Sequence, residues 1–180
     1  MTKTKRIVIT GLCVALGVML PVAVHSIPNA GNILLPMHIP VLLCGLMCGP
    51  WYGLACGILT PVASSLISGM PPMAYLPPMM AELAAYGLIS GLCIRLIGCK
   101  NRTARVYLSL IAAMIAGRIA YGIMNALIFR AGEYSMELWL GATFITAAPG
   151  ILAQLIVIPV IILALEKAKV IDTGKQHGGI

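Results

Sequence analysis

Val106-Tyr-Leu-Ser-Leu-Ile-Ala-Ala-Met-Ile-Ala-Gly-Arg118-Ile-Ala-Tyr-Gly-Ile-Met-Asn-Ala-Leu-Ile-Phe129 is an apolar run of 24 residues that holds a single charge. A helix needs about 20 apolar residues, within a range of about 17–25, to cross a bilayer, so this stretch is long enough to span. No alternation of polar and apolar residues runs through it, which argues against a strand of a membrane barrel. Five further runs flank it: Ile7 to Val24, Ile33 to Gly49, Trp51 to Ile67, Leu76 to Ile97 and Leu138 to Leu165. The second and third are separated by little more than Gly49-Pro50, a turn signal that predicts a tight antiparallel hairpin of helices.

Composition agrees with this reading. The chain is 60% hydrophobic and 9% charged, with a mean hydropathy of +1.00. A soluble domain carries about 25% charged residues, so there are too few here to cover a water-facing surface. The expected fold is therefore an all-α integral membrane protein. Residues 1–169 form one six-helix domain, and residues 170–180 form a polar tail. The first run is longer than the core of a signal peptide and is followed by no Ala-x-Ala-like site, so it reads as a span.

Basic residues set the expected topology. Lys3, Lys5 and Arg6 precede the first helix, Arg95, Lys100, Arg102 and Arg105 surround the fourth-to-fifth connection, and Lys167, Lys169 and Lys175 follow the sixth. Only Arg130 falls on the other side, and this asymmetry places both termini in the cytoplasm. The +7 net charge is thus mainly a topology signal. It is split among three places without aromatic interleaving, and no nucleic-acid partner is implied.

Charges inside spans are the first candidates for function, because each costs about 2.5–3.5 kcal/mol at a helix centre on insertion scales. Glu82 lies in the fourth helix and Arg118 in the fifth. At a rise of 1.5 Å per residue they sit roughly 9 Å and 16 Å below the outer ends of their helices, a difference the long Arg stem can close. They form either a structural ion pair or the lining of a polar cavity open to the outside. Tyr86 follows Glu82 by four residues, and Tyr121 and Asn125 follow Arg118 by three and seven, so each set shares a helix face. Thr143, Thr146, Gly150 and Gln154 form a milder polar stripe on the sixth helix, where hydroxyls and amides can also serve as interhelical glue. His38 begins the second helix and is a further candidate donor to a ligand. The Pro- and Met-rich stretches Pro28 to Pro40 and Gly69 to Pro78 are expected to cover the outer side of such a cavity.

Small residues recur at four-residue spacing: Gly11 and Ala15, Gly45 and Gly49, Gly53 and Gly57, Gly87 and Gly91. Such pairs let helices approach closely, and the Gly11/Ala15 pair could receive a partner. Absences narrow the chemistry. There is no nucleotide-binding Gly-x-x-x-x-Gly-Lys-Ser/Thr loop, no His-Glu-x-x-His, no Gly-x-Ser-x-Gly and no Cys-x-x-Cys. Cys44 and Cys48 read as small core residues. The chain is expected to be neither an enzyme nor a metal or cofactor protein.

The blocks Pro36 to Gly45, Gly49-Pro-Trp-Tyr-Gly53, Thr60-Pro61, Gly69-Met-Pro-Pro72, Met80 to Gly87, Gly117-Arg118 and Pro149-Gly150 together resemble the substrate-binding S components of bacterial energy-coupling factor transporters. The likeness runs from about Arg6 to Lys169. It implies a receptor in the bacterial cell membrane that binds a water-soluble vitamin or precursor in an outward pocket, formed by the first and third loops and helices four to six. It further implies a transmembrane coupling (T) subunit, two cytoplasmic ATPases that hydrolyse the ATP, and toppling of the receptor in the bilayer. The family's Ala-x-x-x-Ala contact in helix one stands here as Gly11-x-x-x-Ala15. Arg118 beside hydroxyls and amides suits a small carboxylate, pantothenate first, while Glu82 would suit an aminated heterocycle. The competing reading is a stand-alone secondary transporter that uses Glu82 as its coupling group.

Overall fold

The computed structural model describes residues 1–24, 35–99, 101–128 and 148–168. Among them are six α-helices and no strand: α1 Lys3–Val24, α2 His38–Cys48, α3 Pro50–Ser68, α4 Leu76–Leu96, α5 Arg102–Ile128 and α6 Ala148–Lys167. Five are long and apolar enough to cross a membrane. The exception is α2. Its 11 residues rise only about 16 Å, about half the thickness of a hydrocarbon core.

The sequence predicts α2 from Ile33, but the helix starts at His38. Residues 33 and 34 lie outside the described residues, and Leu35 to Met37 form a turn closed by the His38 N–H on the Leu35 carbonyl at 3.0 Å. Pro36 explains the late start, because its ring disfavours helical backbone at the preceding residue, and Leu35 has φ 49°. Two other helices begin four residues earlier than hydropathy suggests, each through a polar cap. Thr2 Oγ1 accepts from Lys5 N at 3.3 Å at the head of α1, and Asn101 Oδ1 accepts from Thr103 N at 3.1 Å at the head of α5. Lys3, Lys5, Arg6, Arg102 and Arg105, which mark one end of the bundle, are therefore helical. Of the sixth expected span, residues 138–147 lie outside the described residues.

Helix α2 is the hub. Ten of its residues are buried, all but Ile39, and it packs against α1, α3, α4 and α6. Gly49 joins it to α3 with φ 101°, a conformation that favours glycine. The Gly49 N–H donates to the Gly45 carbonyl, and the Gly49 carbonyl accepts from Gly53 N–H. The guanidinium of Arg95 lies over its Cα.

Helices α3 and α4 meet backbone to backbone. A Cβ added at Gly53 would strike the Gly87 carbonyl and Gly45 Cα, one at Gly87 would strike Gly53, and one at Gly57 would strike the Leu83 carbonyl. Without a hydrophobic effect between spans, such close approach supplies the van der Waals attraction that holds them. Hydroxyls and thiols near these seams mostly bond locally. Thr10 and Thr60 donate to the carbonyls four residues back, Arg6 and Cys56, at 2.8 and 2.7 Å. Cys44 reaches Thr10 Oγ1 and Tyr52 O, and Cys48 reaches Arg6 O, so buried thiols from α2 tie it to α1 and α3.

The outward faces are apolar. On α5 the exposed residues include Leu108, Ile111, Ile115, Ile119 and Ile123, spaced by three or four as a lipid-facing stripe requires. At the basic end Arg102 Nη1 stands 3.4 Å from Glu166 Oε2, which pins antiparallel α5 and α6 in register.

Candidate functional site

Pro77 and Pro78 fit the first turn of α4, where no backbone N–H is needed. One turn further in, Glu82 points away from lipid. Its Oε1 is 3.0 Å from Arg118 Nη1 on α5, accepts a hydrogen bond from Tyr86 OH at 3.1 Å, and is 3.5 Å from His38 Nε2 on α2. The imidazole of His38 meets the Tyr86 ring edge-on, with centroids 5.1 Å apart and planes at 65°. Exposure is 3% for Glu82, 6% for Arg118, and 1% for both His38 and Tyr86. Three helices thus converge on one carboxylate oxygen, inside a body whose surface is apolar. A buried charge is tolerated only with a partner, and Glu82 and Arg118 provide this for each other.

Tyr86 is placed by Gly117. A Cβ at Gly117 would lie 2.5–2.9 Å from three carbons of the Tyr86 ring, so the ring rests directly on the α5 backbone one residue before Arg118. Gly117→Ala is expected to displace the ring and destabilise the protein by about 1–3 kcal/mol, the usual effect of overpacking. In a Tyr86→Ala background the same substitution is expected to be nearly neutral. Thermal unfolding of the four proteins checks this, and an equal loss in both backgrounds would rule out the contact as the cause.

The cluster has donors to spare. Arg118 Nε and Nη2, His38 Nδ1 and, on α6, Gln154 Nε2 are buried without a hydrogen-bond partner, and His38 Nε2 has its 3.5 Å contact with Glu82 Oε1. Gln154 faces inward from α6 in line with buried Ile158 and Ile162. Measured from the Arg102–Glu166 contact, Arg118 is 16 residues along α5 and Gln154 is 12 residues along α6. The four-residue difference amounts to roughly 6 Å of depth, about one turn.

Of the residues expected at the site, Glu82, Arg118, Tyr86 and His38 meet. Tyr121 and Asn125 continue the α5 stripe by one and two turns; Asn125 is buried, and its Nδ2 donates to the Tyr121 carbonyl at 2.9 Å. Thr143 and Thr146 lie outside the described residues. Gly11 and Ala15 are exposed on α1, and nothing lies within 4 Å of a Cβ built on Gly11. Sequence reasoning treated His38 as a separate donor and gave Gly117 no part in placing Tyr86. Neither contact has a signal in the sequence, because each joins residues on different helices. Among the described residues, no group of three or more His, Cys, Asp or Glu could hold a metal ion. A cavity of about 150 Å³ lies between the ends of α1 and α3, bounded by Pro21, Val22, Ser68 and Met70 and by none of the cluster residues.

Comparison with known proteins gives one result. Neither the curated proteins nor the solved structures contain a match. The family model described as "ECF transporter, substrate-specific component" matches residues 5–163, nearly the whole chain. A buried polar cluster inside an apolar helical body suits such a component, and the chain belongs to the family of ECF transporter substrate-specific components.

Proposed function

We propose that this substrate-binding subunit captures a water-soluble vitamin or vitamin precursor at the Glu82–Arg118–His38–Tyr86 cluster, with pantothenate as the first candidate. The observation that carries the reading is the surplus of buried, unpartnered donors at a junction of three helices. A merely structural ion pair gains nothing from leaving a guanidinium edge without partners, since each buried unsatisfied group costs about 1–3 kcal/mol. Tyr121 and Asn125 extend the wall of the site toward the outside. Both termini face the cytoplasm, as the basic residues dictate. The chain catalyses no reaction and holds no cofactor. A T subunit and two ATPases supply the work, and the T subunit engages α1 through the exposed Gly11/Ala15 face.

Mass spectrometry of small molecules carried through gentle detergent purification tests the receptor reading, and a vitamin-like compound is expected at near-stoichiometric amount. Proteoliposomes holding the chain alone are expected to accumulate nothing against a gradient; accumulation would instead support the secondary transporter coupled through Glu82. The docking face has its own test. Gly11→Leu is expected to leave thermal stability and ligand retention unchanged, because its Cβ meets nothing within 4 Å. Recovery of the T subunit in pull-downs should fall by about tenfold, the equivalent of 1.4 kcal/mol. Undiminished recovery would remove this face from the interface.

A further inference from the structure

The cluster also indicates the chemistry of its ligand. Arg118 meets Glu82 through Nη1 alone, and its Nε and Nη2 are buried without partners. Those two nitrogens form the side-on edge of the guanidinium, whose parallel N–H bonds match the two oxygens of a carboxylate. On the other side of the ledger, Oε1 of Glu82 already meets Arg118, Tyr86 and His38. All three of these contacts fall on the one oxygen, whereas two nitrogens of the guanidinium are left over. The free guanidinium edge therefore asks its ligand for a pair of acceptors.

Resting on the receptor reading above, we propose that the substrate is a carboxylic acid whose carboxylate docks side-on to Arg118 Nε and Nη2 while Nη1 stays on Glu82. Glu82 is then a positioning residue through Oε1: it holds the guanidinium plane for the carboxylate. Gln154, within about one turn of depth, is placed to meet a second acceptor on the ligand. The guanidinium is already shared with Glu82, so recognition depends on the geometry of the fork more than on bare positive charge.

The test uses the full chain, purified in detergent and incubated with an equimolar mixture of pantothenate, nicotinate, biotin, folate, thiamine, riboflavin and pyridoxine. Retained compounds are identified by mass spectrometry and their affinity is measured by calorimetry. The expected result is retention of one or more of the four acids, with the primary carboxamide of the retained acid binding at least about hundredfold more weakly. Arg118→Lys keeps the charge and loses the fork, so it should lose a similar factor. Glu82→Gln is expected to weaken the same acid by only about tenfold without changing which compound is chosen. Retention of thiamine, riboflavin or pyridoxine alone would overturn the carboxylate proposal and leave the receptor reading standing, as would equal binding of acid and carboxamide. Retention of none of the seven would overturn both. The carboxamide comparison uses the unaltered protein, so the test survives a variant that fails to fold.

Discussion

Arg118→Ala is expected to abolish ligand retention and to lower thermal stability sharply while still inserting into the membrane. The substitution leaves Glu82 buried with its charge uncompensated, and breaking a buried pair from one side costs about 3–5 kcal/mol. Tyr86 and His38 still contact the carboxylate, but neither supplies a permanent positive charge. The paired substitution Arg118→Met with Glu82→Gln separates the two roles of the arginine. It removes both charges and keeps most of the volume, so stability should recover to near that of the unaltered chain. Ligand retention should not recover, because the guanidinium edge is gone. Thermal unfolding and ligand retention, measured on the same samples, give the answer. If the double variant regained ligand, Arg118 would be structural only.

Gly87→Val is expected to have the largest effect on folding. Its added carbons would meet Gly53 main-chain atoms, with Gly53 Cα at 3.0 Å from the first of them. No flexible side chain stands there to swing aside, so α3 and α4 must separate. Overpacking of this kind costs about 1–3 kcal/mol and more where backbone must move. Parting two spans also gives up contacts along their whole seam. Yield of monodisperse protein in gel filtration should fall to near zero for Gly87→Val and for Gly53→Val. Gly11→Val, on the open face of α1, should be recovered like the unaltered chain. A Gly87→Val protein with unchanged yield and melting temperature would show that the seam is looser than its geometry implies.

Much of the architecture was legible before any coordinates. Apolar length marked six spans, of which five are helices long enough to cross a membrane, and Gly49-Pro50 marked the α2–α3 turn, because bilayer thickness and backbone sterics act on short stretches of chain. Hydropathy missed the starts of α1 and α5, which depend on single polar caps, Thr2 and Asn101, that it scores as loop. It also drew α2 too long, treating Leu35 to Met37 as continuous apolar helix when Pro36 had already set a turn. Glu82 and Arg118 stood out because a charge in a span is expensive, and Tyr86 because it lies one turn from Glu82. The tie to His38 and the Tyr86–Gly117 contact were not legible. They depend on which helix faces which, and the helices' nearly featureless apolar surfaces do not encode this.

The backbone contact between α3 and α4 has a consequence beyond folding. Two helices whose carbonyls sit against each other's glycines cannot shear along that seam without losing contact over its length. Any change of access from one side of the membrane to the other therefore keeps α3 and α4 together as one rigid unit. A chemical staple between α3 and α4 is then expected to leave the transport rate intact.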